Sequence, residues 1–130
     1  MKMNVYISEY YVYFVILDLG LDVNILTKKT WEIMGKPKLV WSPVYILLEN
    51  ESKMSMIGLV PHLPVEVEGL KTYVDFDVIE IVNNTSPYTA LLGINWEMEN
   101  LVIINFKKRM MTFENHDARV LAPLDPLEGR

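Results

Sequence analysis

The chain contains no cysteine. That excludes a disulfide framework, a thiolate metal site and a cysteine nucleophile. Histidine is nearly absent too: only His62 and His116 occur, and neither sits in a motif that would support a Ser-His-Asp triad. Positive charge is in short supply, with 12 Lys and Arg against 17 Asp and Glu, for a net charge of −5. Such a chain lacks the electrostatic footprint of a general nucleic-acid binder. Long apolar runs are missing as well. The longest near the N-terminus, Tyr10 to Leu17, falls far short of the roughly 18 residues that cross a bilayer. Glu9 before it and Asp18 after it break the pattern of a signal peptide. The expectation is an intracellular, cytoplasmic protein without a membrane span, in which the sequons at Asn50, Asn83 and Asn84 carry no sugar. No internal repeat and no low-complexity segment is present.

What remains is the composition of a globular domain. The 130 residues suit one domain, 51% are hydrophobic, and the 22% that are charged are too few for wholesale disorder. Val5 to Ile7 and Val12 to Leu17 read as a hairpin turning at Ser8-Glu9. Asp18-Leu19-Gly20 interrupts the second strand, and Val23 to Leu26 resumes extended structure. A short helix follows over Thr27 to Met34, with Thr27 as its cap, Gly35 as its stop and Pro37 beyond. Val44 to Leu48, Met54 to Val60, Val65 to Gly69, Thr72 to Val82 and Tyr88 to Leu92 read as strands, with a polar hairpin tip at Glu49 to Lys53. Asn95 to Asn100 forms one helical turn, and Leu101 to Phe106 with Arg109 to Phe113 make a closing hairpin. After Asn115 the chain becomes polar and proline-containing and reads as a tail or linker. Many short strands with frequent turns indicate an all-β barrel or sandwich.

The informative stretch is Val15-Ile16-Leu17-Asp18-Leu19-Gly20-Leu21-Asp22, a carboxylate placed just after a hydrophobic strand and next to a glycine. Asp-x-Gly is also an ordinary turn, and taken alone it reads as one. A second stretch changes that reading. Leu91-Leu92-Gly93, followed by Ile94-Asn95 and a short helix, places two apolar residues and a glycine at the end of a buried strand.

Together the two stretches resemble the retropepsin family, whose active-site strand ends in Asp-Ser/Thr-Gly-Ala and is backed by an apolar-apolar-Gly strand. The resemblance spans about residues 1–115 and leaves 116–130 as the tail. At finer grain, Val23-Asn24-Ile25-Leu26 and Ala122-Pro123-Leu124-Asp125-Pro126 look like the protease region of plant gypsy-type long-terminal-repeat retrotransposon polyproteins. The resemblance implies a closed all-β barrel with one or two short helices. It implies that Asp18 is catalytic, that Leu19 and Gly20 complete its loop, and that Leu91, Leu92 and Gly93 form the backing motif. Leu21 and Leu92 would line a substrate pocket. Asp22 would hold substrate main chain, and Asn50-Glu51-Ser52-Lys53 would be the flap over it. With one Asp-x-Gly motif the chain would act as a homodimer on a polyprotein, with no cofactor and no metal.

Two residues and the flap candidate depart from the family pattern. Leu19 stands where a Ser or Thr hydroxyl braces the two active loops, and losing such a bond costs about 1–3 kcal/mol if its partner stays unpaired. Ile94 replaces an arginine that ties viral dimers together. The flap candidate has no glycine and is therefore stiffer. Leu19 divides two readings: an active endopeptidase, and a catalytically silent dimerisation or binding module on the same fold.

Other polar groups read as ordinary surface. Asp75 and Asp77 share a strand face on which Ile79, not a third oxygen ligand, comes next, so solvent is expected there rather than a metal. Lys107-Lys108-Arg109 keeps a hairpin tip soluble. His62 reads as a surface strand residue. Trp31, Trp41 and Trp96 are expected in the core or a subunit contact, and the methionines as core filler.

Overall fold

The computed structural model describes residues 2–18, 20–41, 54–81, 88–114 and 118–125. Among the described residues, nine strands and two short helices occur in the order β1 (Lys2–Ile7), β2 (Tyr10–Asp18), β3 (Ile25–Thr27), α1 (Lys28–Ile33), β4 (Met54–Val67), β5 (Leu70–Ile81), β6 (Ala90–Gly93), α2 (Ile94–Glu99), β7 (Ile103–Asn105), β8 (Met110–Glu114) and β9 (Arg119–Pro123). Six of the strands close a barrel in the order β1-β2-β6-β3-β5-β4, and β7-β8-β9 form a separate three-stranded sheet. No helix among the described residues is long and apolar enough to cross a membrane.

The β1–β2 hairpin forms where the alternation predicts it. Ser8 and Glu9 both have positive φ (48° and 73°), the mirror-image turn that matches strand twist. Met3, Val5 and Ile7 point into the core from β1. On β2 the buried positions are Val12, Val15 and Leu17, so the period of two slips once. Phe14, at φ 61°, absorbs the extra residue, and Asn4 Oδ1 accepts its N–H at 3.2 Å.

The Thr27 cap is as expected. Its side chain accepts the Thr30 N–H, its hydroxyl lies 2.8 Å from that of Thr30, and both hydroxyls reach the Thr89 carbonyl. At the other end Gly35, at φ 85°, lets Lys36 N–H bond back to Trp31 O and Gly35 N–H to Glu32 O. This is the double bond pattern that closes a helix at a glycine. Thr27→Ala should lower stability by about 1 kcal/mol, read as a fall in the urea midpoint at unchanged slope.

Three expectations change. Residues 54–67 are one long strand, not two. Pro61 and His62 form a bulge: pairing shifts between Val60 and Leu63, His62 takes φ 57°, and its N–H bonds Asp75 Oδ1 at 2.7 Å. A bulge lets the prolines sit in a paired strand without breaking it. The stretch read as a tail contains β9, which pairs with β8 from Met110↔Pro123 to Glu114↔Arg119. Ala122 and Leu124 are buried, and Asp125 ties this end to β1 through Lys2 and to Arg109. An edge strand tolerates Pro123 because one row of its N–H groups needs no partner. Asp77 is buried, only 4% exposed, and not on a solvated face. β5 lies between β3 and β4 at this level, and the Asp77 N–H bonds Asn24 O at 2.8 Å.

The core has two parts. The larger fills the barrel and continues to Trp96, Met111 and Phe113 under the small sheet. The smaller joins Ile25, Ile79 and Leu91 from the opposite faces of β3, β5 and β6, flanked by Ile16, Leu21, Val23, Met56 and Tyr88. Of the tryptophans, Trp96 is core, Trp31 is half-buried, and Trp41 is 83% exposed. Met3, Met34 and Met111 fill core, whereas Met98 is exposed. The strand expected at 44–48, His116 and the three sequons lie outside the described residues.

Candidate active site

Asp18 is the last residue of β2 and is half-buried. β2 runs parallel to β6, with Asp18 opposite Gly93, while β3 pairs with the other side of β6. The loop 18–24 therefore connects two strands that are not neighbours and must pass across the strand between them. That crossing fixes the loop. Ile94 N–H bonds Leu21 O at 2.8 Å, and Asn95 Nδ2 bonds Asp22 O at 3.1 Å. Asn24 is the other anchor: its Oδ1 accepts Gly93 N–H at 2.9 Å, its Nδ2 donates to Asp75 O at 3.3 Å, and its carbonyl accepts from Asp77.

Gly93 is the residue on which this crossing depends. A Cβ there would lie 2.5 Å from Val23 O and 2.6 Å from Leu21 O, so the loop backbone occupies the space of the missing side chain. Gly20 has a different role. It is not among the described glycines with positive φ, and a Cβ on it would meet only Asp18 Oδ1, at 3.4 Å. What it supplies is its N–H, donated to Asp18 Oδ1 at 2.8 Å, which orients the carboxylate.

Two groups missing from the sequence reading lie in the electrostatic field of Asp18. The Tyr88 phenol is pushed up from its ordinary range, by burial first and by the charge of Asp18 second. Glu97, on α2, is pushed up to about 7, again by burial first and Asp18 second. Glu97 is 5% exposed, and neither of its carboxyl oxygens has a hydrogen-bond partner among the described residues. Nothing in the sequence marks it, because an acid in the first turn of a helix is ordinary. Asn24 could have been noticed, since an Asx side chain next to a strand often braces backbone.

The other expected site residues divide. Leu21 is half-buried and packs at the edge of the smaller apolar cluster. Asp22 is exposed and opens on a polar surface cleft shared with Asn24, Asp75, Asn95 and Glu99. Leu91 and Leu92 point to opposite sides of β6, into the smaller and the larger core respectively. Leu92 is 1% exposed, so its side chain has no surface to offer a substrate and serves packing alone. Leu19 and the flap candidate Asn50-Glu51-Ser52-Lys53 lie outside the described residues. Among the described residues no cluster of three or more metal-ligating side chains occurs.

No family model matches the chain, and no curated protein matches it. Solved structures do. The crystal structure of the retroviral protease-like domain of Ddi1 from Leishmania major superposes with a TM-score of 0.74 at 21% identity, covering 100% of this chain and 97% of that one. At that identity the likeness establishes the fold, and the fold is retropepsin-like.

Proposed function

We propose that this chain is one half of a homodimeric aspartic endopeptidase. The observation that carries the reading is the placement of Asp18: a single carboxylate at the end of β2, oriented by Gly20 N–H, on a loop held against Gly93 in a retropepsin-like barrel. Peptide hydrolysis by this chemistry needs a second carboxylate within hydrogen-bond reach. A second copy supplies it, because a two-fold axis can place a residue beside its own copy. Two carboxyls that close share one proton, since both cannot ionise together, and they titrate as a pair.

In the proposed reaction the ionised Asp18 takes a proton from a water, whose oxygen attacks the scissile carbonyl carbon. The protonated Asp18 of the second copy gives its proton to the carbonyl oxygen. The tetrahedral intermediate then breaks its C–N bond as a proton passes to the leaving nitrogen. Leu21 lies at the edge of the apolar cluster that would floor the substrate site, and Asp22 is exposed to hold substrate main chain. The substrate class proposed is a retroelement polyprotein, which rests on the resemblance of Val23 to Leu26 and of Ala122 to Pro126.

The test is cleavage of a peptide library at mildly acidic pH across a range of protein concentrations. The rate should rise with roughly the square of concentration below the dimer dissociation constant and linearly above it. Absence of cleavage at concentrations where sedimentation shows a dimer would remove the enzyme reading and leave a silent module.

A further inference from the structure

Glu97 has no role in the chemistry above, yet it is a buried carboxyl whose oxygens have no hydrogen-bond partner among the described residues. Burying an ionised carboxylate without a partner is costly, and such groups stay neutral instead. α2 packs on β2 and β6. β6 carries no titratable side chain, and β2 presents Asp18 at its end. The remaining charge felt by Glu97 is the amino-terminal ammonium, a smaller and opposite influence. No Lys or Arg among the described residues forms a salt bridge with it. Glu97 is thus a buried carboxyl on the helix that packs against β2 and β6, and the carboxyl of Asp18 is the larger of the two charges that act on it.

We infer that Glu97 is a positioning residue that backs Asp18 only in its protonated form, so that the assembled site is sustained by acid and loosened near neutral pH. This rests on the reading of Asp18 as the catalytic group. With Glu97 neutral, the loop after Asp18 stays bonded to α2 through Leu21 O and Asp22 O. Once Glu97 loses its proton, a buried charge without a described hydrogen-bond partner stands in the field of Asp18. The loop, Gly93 and α2 are then pushed apart at the bonds from Ile94 to Leu21 and from Asn95 to Asp22. A homodimer would bring two such pairs together and sharpen the dependence.

The sign follows from linkage. Glu97 holds its proton up to about 7 in the folded chain, against 4.5 when exposed. Its contribution is fully present below about 4.5 and is lost as pH rises to about 7, after which no more is lost. Over that window the folding equilibrium constant should fall close to tenfold per pH unit, roughly 300-fold in all. Glu97→Gln keeps the shape, cannot ionise, and should remove this fall.

The experiment is carboxyl-carbon NMR titration of the wild type and of Asp18→Asn, with urea unfolding of wild type and Glu97→Gln from pH 4 to pH 8.5. Expected are a Glu97 midpoint near 7 that moves down in Asp18→Asn, and a pH-dependent loss of stability absent from Glu97→Gln. If cleavage is obtained, the Glu97→Gln rate should hold to higher pH than the wild-type rate. A midpoint near 4.5, or one indifferent to Asp18→Asn, would overturn the inference. So would a Glu97→Gln stability curve parallel to the wild type. The titration needs no activity, so failure to cleave any peptide would remove the protease reading while this one is still decided by the carboxyl signal.

Discussion

Asp18→Asn should give a folded chain with cleavage reduced by at least about 10³-fold, the scale of losing a positioned general acid–base pair. The fold should survive because Asn keeps an oxygen where Asp18 Oδ1 accepts the Gly20 N–H. It should even be slightly favoured above neutral pH, since the charge that presses on Glu97 is gone. What the amide cannot do is take a proton from water. A mixing experiment makes the result sharper. Adding the inactive chain to wild type should suppress the wild-type rate, because mixed dimers contain one carboxylate where the reaction needs two. A rate that ignores the added mutant would mean that each chain acts alone and would overturn the homodimeric reading. Intact mass spectrometry of cleaved library peptides, with sedimentation to follow exchange, supplies both readouts.

Gly93→Ala is the second large effect, and it acts on stability. The added methyl group would sit at 2.5 and 2.6 Å from two backbone carbonyl oxygens, of Val23 and Leu21, which cannot rotate away as a flexible side chain can. Relief requires moving the loop 18–24 off β6. That movement sacrifices the bonds from Ile94 to Leu21 and from Gly93 to Asn24, and it displaces Asp18. Overpacking alone costs about 1–3 kcal/mol, and each buried bond left unmade adds to it. A total near 4 kcal/mol is expected, a large part of the ~5–15 kcal/mol that holds a domain together. Urea unfolding should show it as a fall in midpoint. Gly20→Ala is the control: a Cβ there meets only Asp18 Oδ1, at 3.4 Å, and stability should change by less than about 1 kcal/mol. If the two variants unfold alike, the close crossing at Gly93 is not what holds the loop.

These two glycines also show how far the sequence could be read. Both stood out as motif residues, Gly20 beside Asp18 and Gly93 after two leucines. From the sequence, Gly20 reads as the residue that completes the loop of Asp18. In the structure Gly93 is the one the backbone requires, because its neighbours come from 70 residues earlier in the chain. Leu92 was similarly visible as a motif member, but only the barrel interior shows that it packs and does not face a cleft. The tail reading missed β9 because within it only Ala122 is buried and Val120 half-buried, with a proline at its end. That is too little apolar pattern to distinguish a strand from a linker.

The sequence by itself determined what depends on near neighbours. Alternation specified the β1–β2 hairpin, Thr27 and Gly35 bounded α1, and the Asp18 and Gly93 motifs marked the two strands that meet. Period, capping and turn chemistry act over a few residues, so they can be read along the chain. The tertiary structure decided which groups lose water. Asp77 is buried because β3 and β4 both flank it, Asn24 is an anchor because Gly93 and Asp75 come within its reach, and Glu97 is perturbed because α2 packs it into the interior and into the field of Asp18. Each depends on pairings between distant segments, and burial of a polar group is a property of that assembly, not of the residue or its neighbours in sequence.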